Sequence, residues 1–575
     1  MKEENIVIWG AGRIGRGFIA DLFQEGGYSL TFIDADEIMV KKLNENKSYK
    51  ILRITGKDES TEVIIKNYRA LSTKDKDTVE KVLENCKLLA ICVFPNIFDI
   101  VASSFINEIE RRALENSNEN LDILVCANIN HPSDKFKACF DGKLSPSAQK
   151  YFKDKIGFID SAVIRMAIEA SPEQKLQDEL IVVTNGYKQM PVDGNAFKGH
   201  KPKVPNIIFV ENMRAEEMRK MYTYNMMHAL YSYVGQAKGH TYVYECTQDI
   251  EVQKIAELAL DEVCQALIKE FGYTFEEMVS WKITVLKNMA NPTFMDKLVR
   301  VGSDPERKLK REDRLVGPAL LCRKHGLMPY YLAKGIAGAF VFNNPGDLAL
   351  ERIKKYLELN GIKETIKEIC QLNKEVELIQ LINDQYNKYI DKSLFSEDSD
   401  KIEIIKKAYE LGFKYEKTYK GCAQCTLAAL FEVTGKTNEI LFKAASALSG
   451  GIAITGDGSC GGYTGGVLYM GSQIGRRIER IPVDGDKIDQ YRSYEMAQKL
   501  HDKYIETYGS VTCSDIHKVI FDKSYCLRTK AVRDEFEAAG AHADKCTTVI
   551  AMTSSWVAEI MYEEKCLNIS DIKGA

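Results

Sequence analysis

The fold is decided near the start of the chain, where Asn5-Ile-Val-Ile-Trp9 runs directly into Gly10-Ala-Gly-Arg-Ile-Gly15. A short apolar run followed by Gly-x-Gly-x-x-Gly predicts a buried strand, a tight turn and the start of a helix. Apolar residues at helical spacing follow over 18–23, and Ser29-Leu-Thr-Phe-Ile33 reads as a second strand, closed by Asp34. Further strands predicted at 88–94 and 123–126 complete the alternation typical of an α/β Rossmann-like parallel sheet.

The glycine pattern is placed as a dinucleotide-binding turn requires. Gly10 would permit the turn, Gly12 the approach of a pyrophosphate to backbone N–H groups, and Gly15 close packing of helix on strand. Asp34 would accept from the ribose hydroxyls and repel a 2′-phosphate, which favours NAD over NADP, although Arg13 and Arg16 count against that preference. The predicted cofactor-binding residues are Gly10, Ala11, Gly12, Arg13, Ile14, Gly15 and Asp34.

A second informative stretch is Lys220-Met-Tyr-Thr-Tyr-Asn225-Met-Met-His228, which predicts one apolar helix with three polar side chains. At about 100° per residue, Asn225 lies about 140° and His228 about 80° from Lys220 around the helix axis. Burying these groups is costly unless they find partners, and burial lowers the pKa of a lysine toward neutrality. The stretch therefore predicts a lysine general base. The alternative is a surface lysine, a capping asparagine and a core histidine.

Composition describes an ordinary globular protein of 575 residues, with 45% hydrophobic and 28% charged residues and a net charge of −4. This balance gives no electrostatic sign of nucleic-acid binding, no apolar run predicts a membrane span, and a cytoplasmic location is expected. The length predicts several domains. We expect an NAD-binding domain over 1–195, a mostly helical substrate and catalytic domain over 196–390, a polar linker over 391–400, and a helical cysteine-rich domain over 401–575.

The cysteines are unevenly distributed: seven of the 15 lie in the last 180 residues, several beside glycines. In a reducing compartment this density favours metal or redox chemistry over structural disulfides. Glycines around Cys460 would free N–H groups for a sulfur ligand, and a helix following Cys460 would lower its thiol pKa.

Residues 1 to 390 resemble the mannitol-1-phosphate 5-dehydrogenases, which belong to the polyol-specific long-chain dehydrogenases. The resemblance rests on the segments already quoted and on four further ones, namely Gly157-Phe-Ile-Asp-Ser-Ala-Val163, Asn291-Pro, Arg300-Val-Gly-x-x-Pro-x-Arg-Lys-Leu309 and Asp313-Arg-Leu315. It implies metal-independent hydride transfer between NAD and a sugar alcohol or ketose, often phosphorylated. The absence of a strong zinc-ligand pattern in this half of the sequence agrees with a lysine in place of a metal.

The resemblance also implies roles for individual residues. Lys220 would exchange the proton of the reacting hydroxyl, Asn225 and Asn128 would donate to its oxygen, and His228 would orient the substrate or the lysine. Arg300, Lys308 and Arg314 are candidates for a substrate phosphate, since fixed cations suit a dianion; the alternative is a solvent-facing charged surface.

Two departures from the family pattern concern acidic residues. Family members usually carry an acid at the position of Ala127 and an aspartate at the position of Ile164, and Phe94 stands where a glycine is common. The sequence thus predicts a catalytic lysine without the two acidic residues that family members usually carry nearby. These departures leave the reaction class intact and bear on which sugar is the substrate.

Residues 405 to 565 resemble the C_GCAxxG_C_C family of redox-active domains. Cys422, Cys460, Cys513 and Cys546 match its pattern, whereas Cys425 and Cys526 are additional and Cys566 is incidental. Four separated thiolates are able to hold zinc or an iron–sulfur cluster, or to act as exchanging dithiols with a redox partner. The alternative is small buried cysteines in a structural, oligomerising or zinc-stabilised domain.

The leading hypothesis is therefore an NAD-dependent dehydrogenase acting on a small-molecule sugar alcohol (phosphate) and its ketose, with an appended redox or metal module. One alternative is a hexuronate or nonphosphorylated polyol dehydrogenase. The other is a noncatalytic NAD(H)-sensing module that regulates the cysteine-rich domain. The oligomeric state is left open.

Overall fold

The computed structural model describes residues 4–56, 59–127, 129, 131–168, 170–481 and 488–567. It divides into two compact units: unit 1 contains residues 1–221 and 284–295, and unit 2 contains 222–283 and 296–575. None of the helices in the described ranges combines the length and apolarity needed to cross a membrane.

Unit 1 is built on a six-stranded sheet in the order β5–β2–β1–β6–β7–β8, and every pairing in it is parallel. This confirms the predicted Rossmann-like sheet. The strand order reverses at β1, so the loop that follows β1 opens at the switch point where such sheets bind ligands. The strands are β1 Asn5–Trp9, β2 Ser29–Asp34, β3 Tyr49–Gly56, β4 Glu59–Ile65, β5 Tyr68–Ser72, β6 Leu88–Ile91, β7 Leu121–Val125, β8 Ile156–Asp160, β9 Ala167–Ile168, β10 Val182–Thr184, β11 Met190–Asp193 and β12 Ile207–Val210.

Two apolar cores cover the two faces of this sheet. Along β1, Ile6 and Ile8 enter one core while Val7 and Trp9 enter the other. Successive side chains of a strand point to opposite faces, so a strand buried on both faces must be apolar throughout. The helices of unit 1 are α1 Ala20–Glu25, α2 Glu37–Asn46, α3 Lys76–Glu84, α4 Phe98–Ser103, α5 Ile106–Leu114, α6 Pro132–Ala138, α7 Pro146–Lys155, α8 Pro172–Gln177 and α9 Met213–Lys220, with a π-helical turn at Gly15–Ile19.

Unit 2 is helical in the residues that the structure describes, as predicted. Its cysteine-rich region is centred on α20, which packs against α21 and α27. The helices are α10 Met226–Ala237, α11 Val243–Cys246, α12 Ile250–Phe271, α13 Phe275–Met289 (whose residues from Thr284 belong to unit 1), α14 Leu298–Val301, α15 Pro305–Lys308, α16 Val316–Lys324, α17 Tyr330–Val341, α18 Leu348–Cys370, α19 Val376–Ile390, α20 Ser399–Tyr419, α21 Cys422–Thr434, α22 Glu439–Ala444, α23 Gly461–Ile474, α24 Ile488–Tyr508, α25 Cys513–Phe521, α26 Lys530–Ala538 and α27 Cys546–Glu563.

The helix predicted from Lys220 to His228 is interrupted. α9 ends at Lys220, a π-helical turn occupies Met221–Asn225, and α10 begins at Met226. The regular 100° spacing assumed from the sequence was therefore wrong across this turn, because a π turn contains more residues than an α turn. Such turns are frequent at functional sites. The boundary between the two units also falls here, after Met221.

The polar segment 391–400 is held in place within unit 2. Glu397 accepts hydrogen bonds from Tyr330 Oη at 2.5 Å and from the ammonium groups of Lys334 and Lys388. Asp398 then caps α20 by accepting from the backbone N–H groups of residues 400 and 401. These contacts fix the position where the cysteine-rich region begins.

Candidate functional site

The glycine loop has the geometry of a nucleotide-binding turn. Gly10 has a φ of +106°, and its N–H donates to Ile33 O at 2.8 Å, which ties the turn to β2. A Cβ at Gly15 would lie 2.0 Å from Gly10 O, so only glycine permits this approach of helix and turn. A Cβ at Gly12 would meet no heavy atom within 4 Å. The space over the loop is therefore open where a pyrophosphate would lie.

Asp34 lies at the carboxyl end of β2, as predicted. Its Oδ2 accepts from Ala11 N at 2.6 Å and its Oδ1 accepts from Asp36 N at 2.9 Å. Each oxygen keeps a lone pair for a ribose hydroxyl. The buried Arg16 turns inward and donates through Nε to Ala11 O at 2.7 Å, so Arg16 no longer counts against NAD. Arg13 is exposed, and Ile14 packs against one of the sheet cores.

Lys220, half-buried at the end of α9, has an acidic neighbour that the sequence reasoning missed. Glu217 precedes it by one helical turn, and the two side chains interact electrostatically. Burial and the Asp160 carboxylate raise the pKa of Glu217 to about 7, although His131 and Lys220 oppose the shift. The i, i+3 spacing was visible in the sequence. The acids usual in the family at positions 127 and 164 are absent, as noted from the sequence, and Glu217 is an acidic neighbour that the prediction did not include.

Asp160 and His131 join Glu217 in one polar group within unit 1. Asp160 Oδ1 accepts from Ser133 N at 2.8 Å, and burial raises the pKa of this carboxyl. One ligand atom of each of His131, Asp160 and Glu217 lies within 4.8 Å of the other two, so the group is able to hold a metal ion. No local sequence pattern indicates this group, because its members are far apart in the chain. Asn128 is outside the described residues.

Arg165, which follows Ile164, has a carboxylate partner from elsewhere in unit 1. Arg165 and Arg53 both donate to the Asp21 carboxylate, and all three side chains are buried. Arg165 Nη1 also donates to Gly17 O at 2.9 Å, next to the glycine loop. This network supports the helix that begins at the loop.

In unit 2, Asn225 and His228 are the half-buried positions in a stretch that is otherwise buried from Tyr222 to Leu230. His228 Nδ1 lies 3.1 Å from Tyr224 O, and its Nε2 lies 3.7 Å from Asp296 Oδ2. Burial lowers the pKa of His228 to about 4, and nearby cations add to the effect. The imidazole is therefore neutral at physiological pH and presents one donor and one acceptor.

The cations that act on His228 are Arg300, Arg314 and Lys308, the three residues predicted to bind a phosphate. The structure thus brings all three into one neighbourhood. Arg300 is paired with Asp296, and Arg314 Nε donates to Asp313 Oδ1 at 2.7 Å. Lys308 is buried and donates to Ser303 O. Burial, Arg314 and Arg307 lower the pKa of Lys308 to about 8, and Asp304 and Asp313 oppose this shift.

The four pattern cysteines of the C-terminal region line one cavity of about 410 Å³, namely Cys422, Cys460, Cys513 and Cys546. Cys526, classed as additional from the sequence, is exposed. A helix does follow Cys460, as predicted, but the predicted fall in its thiol pKa was wrong. Burial outweighs the N–H groups of residues 462 and 463 and raises the pKa of this thiol.

Two further polar residues of the same cavity were missed by sequence reasoning. His517 lies four residues after Cys513 on α25, a spacing that places both on one helix face and was visible in the sequence. Glu416, near the end of α20, gave no local signal. Both side chains are buried and line the cavity.

Three family models match the chain. Residues 4–206 match "Mannitol dehydrogenase Rossmann domain", residues 212–390 match "Mannitol dehydrogenase C-terminal domain", and residues 421–560 match "Putative redox-active protein (C_GCAxxG_C_C)". The first two agree with the predicted dehydrogenase half, and the third agrees with the predicted cysteine-rich module.

Curated relatives resemble the dehydrogenase half along nearly their whole length. The chain is 31% identical to mannitol-1-phosphate 5-dehydrogenase of Brevibacillus brevis over 380 residues, which is 66% of this chain and 96% of the relative. It is 30% identical to the Bacillus subtilis enzyme of the same name over 380 residues, 66% of this chain and 99% of the relative.

Solved structures show the same fold at low sequence identity. A substrate-free D-sorbitol dehydrogenase aligns with a TM-score of 0.62 at 15% identity, covering 68% of this chain and 94% of its own. The Pseudomonas fluorescens mannitol 2-dehydrogenase, solved as a ternary complex with NAD and D-mannitol, aligns with a TM-score of 0.53 at 15% identity, covering 68% and 93%.

Proposed function

We propose that this chain, which belongs to the mannitol dehydrogenase family and is an NAD-dependent polyol dehydrogenase, acts on a sugar-alcohol phosphate with Lys220 as general base. The substrate pair we propose is mannitol 1-phosphate and fructose 6-phosphate, since the Brevibacillus brevis and Bacillus subtilis relatives, at 31% and 30% identity, are mannitol-1-phosphate 5-dehydrogenases. The observation that carries this choice is the crowding of Arg300, Lys308 and Arg314 about His228.

The base chemistry follows from the neighbourhood of Lys220. In the oxidising direction its neutral amine takes the proton of the reacting hydroxyl, and in the reducing direction its ammonium returns that proton to the developing alkoxide. When bound, NAD accepts or returns the hydride of the same carbon. Glu217, with a pKa of about 7, is suited to take the released proton from Lys220 and pass it on. The open space over Gly12 and the position of Asp34 fit the cofactor.

Asn225 and His228 supply the polar groups of unit 2 in this proposal. An amide N–H from Asn225 stabilises the oxygen on which negative charge develops, a contribution of about 3 to 4 kcal/mol in comparable sites. By family resemblance Asn128 has the same role. His228 is neutral, so it orients substrate hydroxyls through hydrogen bonds without adding charge. No metal is needed for these steps.

A phosphate on the substrate would suit the cations around Lys308. Burial lowers the pKa of Lys308, Arg314 and Arg307 add to this shift, and Asp304 and Asp313 oppose it. A dianion would relieve the repulsion among the cations. Guanidinium groups also bind phosphate through paired hydrogen bonds. A free polyol would bring no charge to these cations and a hexuronate only one, although Arg300 and Arg314 already have carboxylate partners in Asp296 and Asp313.

For the C-terminal region we propose a redox or metal role. Its support is the convergence of Cys422, Cys460, Cys513 and Cys546 on one cavity. Cysteines that are only small core residues are not expected to converge on one cavity.

The test is an NADH-oxidation assay of the full chain over phosphorylated and free ketoses, with and without EDTA. We expect turnover of fructose 6-phosphate with at least a tenfold higher kcat/KM than of fructose, unaffected by the chelator. Equal turnover of the two ketoses would contradict the phosphate assignment and favour a nonphosphorylated polyol, and preferred turnover of a keto-hexuronate would favour a hexuronate dehydrogenase. NADH binding without turnover of any ketose would favour the sensing module.

A further inference from the structure

The cavity in the C-terminal region is assembled from helix N-termini. Cys422 is the first residue of α21, Cys460 caps α23, Cys513 is the first residue of α25, and Cys546 is the first residue of α27. These helices contain between nine and 18 residues. Unpaired N–H groups give each N-terminus a partial positive charge, so four of them around one space favour an anionic centre.

Backbone N–H groups also point at the sulfur atoms. Gly450 N donates to Cys422 Sγ at 3.4 Å, and the N–H groups of residues 462 and 463 favour the thiolate of Cys460. At Gly461 a Cβ would lie 2.2 Å from Cys422 Sγ, so glycine is required for the two helix starts to come together. The backbone therefore lies close to the sulfur atoms of Cys422 and Cys460.

Two polar atoms of the cavity lining lack a hydrogen-bond partner among the described residues, namely Glu416 Oε2 and His517 Nδ1. Buried polar atoms in this state call for an explanation, and an ion or ligand in the cavity supplies one. The other carboxylate oxygen of Glu416 lies 3.5 Å from His542 Nε2, which also lines the cavity. Two further cations of the lining, Lys420 and Arg533, lie on its exposed side, where Lys420 is paired with Glu537.

The spacing of the sulfur atoms distinguishes a single zinc ion from a larger metal centre. Four thiolates on one zinc ion, at about 2.3 Å each, lie about 3.8 Å from one another. Among the described residues, the three-ligand group within 4.8 Å is the His131 group of unit 1, and the cysteines form none. A larger centre that keeps the sulfur atoms farther apart fits this spacing.

His517 lies at the edge of this space. Its Nε2 is 3.6 Å from Cys513 Sγ and 3.9 Å from Cys546 Sγ. With its ring proton on Nε2, His517 is able to donate to either sulfur. The rings of Phe521, Tyr525 and Phe536 pack around it and hold its orientation.

We propose that the cavity binds an iron–sulfur cluster through the thiolates of Cys422, Cys460, Cys513 and Cys546, and that His517 is a positioning residue that donates to the ligand sulfur. Four thiolates are the usual ligand set of [2Fe–2S] and [4Fe–4S] clusters, and hydrogen bonds to their sulfur atoms tune the reduction potential. This assignment rests on the proposed redox or metal role of the C-terminal region and is independent of the dehydrogenase reaction.

The test uses the full chain purified without oxygen. We expect iron and acid-labile sulfide in equal amounts and a broad visible absorption that dithionite bleaches. Cys460→Ser and Cys513→Ser should each lose at least half of the iron and sulfide, whereas Cys526→Ser, at an exposed cysteine, should retain both. NADH oxidation with a ketose phosphate should persist in all variants, which shows that the dehydrogenase region folds in each of them.

His517→Phe keeps an aromatic ring in the cluster of rings. We expect it to retain iron and sulfide and to shift the reduction potential to a lower value, because one donor to sulfur is lost. An unchanged potential would remove His517 from its role. Stoichiometric zinc without iron or sulfide would overturn the cluster while leaving a metal role intact. A protein free of metal after anaerobic purification and iron–sulfur reconstitution would overturn both.

Discussion

The Asp21 network of unit 1 permits a quantitative prediction about stability. Asp21 is 1% exposed and accepts from two buried guanidinium groups, those of Arg53 and Arg165. Burial lowers the pKa of Arg165, and the Asp21 carboxylate opposes this shift. Arg165 Nη2 has no hydrogen-bond partner among the described residues. Asp21→Asn would leave two buried cations without a counter-charge, and removing one partner of a buried pair costs about 3 to 5 kcal/mol.

Hydrogen exchange followed by mass spectrometry would measure this loss where it occurs. In Asp21→Asn we expect protection of peptides covering β1 and β2 to fall by about a hundredfold or more, since each 1.4 kcal/mol is about tenfold. Peptides of α20 and α27 in unit 2 should keep their protection.

The matched control is Glu45→Gln, which removes one partner of the exposed pair Lys41–Glu45, with side chains 74% and 62% exposed. It should change protection by no more than about threefold, because exposed pairs of this kind contribute at most about 0.5 kcal/mol. Equal effects of the two variants would refute the assigned importance of the buried network.

Three further predictions concern cofactor, substrate and pH. Asp34→Ser should raise the ratio of NADPH to NADH kcat/KM by about tenfold or more, because the carboxylate that repels a 2′-phosphate is lost; an unchanged ratio would count against Asp34. Arg314→Ala should raise the KM for fructose 6-phosphate by about ten- to a hundredfold, the loss of one charge-assisted contact, and leave fructose unaffected. Glu217 has a folded-state pKa of about 7 against an ordinary 4.5, so its contribution to stability is present below pH 4.5 and lost as pH rises through 7. Glu217→Gln should abolish that part of the pH dependence in a denaturation series.

The fold could be predicted because its signals are local. The run from Asn5 to Trp9 is apolar at every position after the first, since both faces of β1 are buried, and the glycines follow it immediately. The same holds for the cysteine motifs, where each pattern cysteine lies at a helix N-terminus.

The surroundings of the candidate sites could be predicted only in part, because they depend on residues distant in sequence. Glu217 was within reach of helical periodicity, but its high pKa depends on Asp160, which lies 57 positions earlier. The partner of Arg165 is Asp21, on an element that no local pattern connects to it. The π-helical turn at Met221–Asn225 replaces regular helix, and an apolar pattern alone does not distinguish the two.

The central claim, that Lys220 is the general base, is tested most directly by Lys220→Ala in the full chain. The measurement is NADH oxidation with fructose 6-phosphate, alongside an NADH-binding titration and the control Arg214→Ala, an exposed residue of the same helix. We predict that Lys220→Ala binds NADH with unchanged affinity and loses at least a thousandfold in kcat, while Arg214→Ala turns over like the unaltered protein. Turnover in Lys220→Ala within tenfold of the unaltered protein would contradict the assignment.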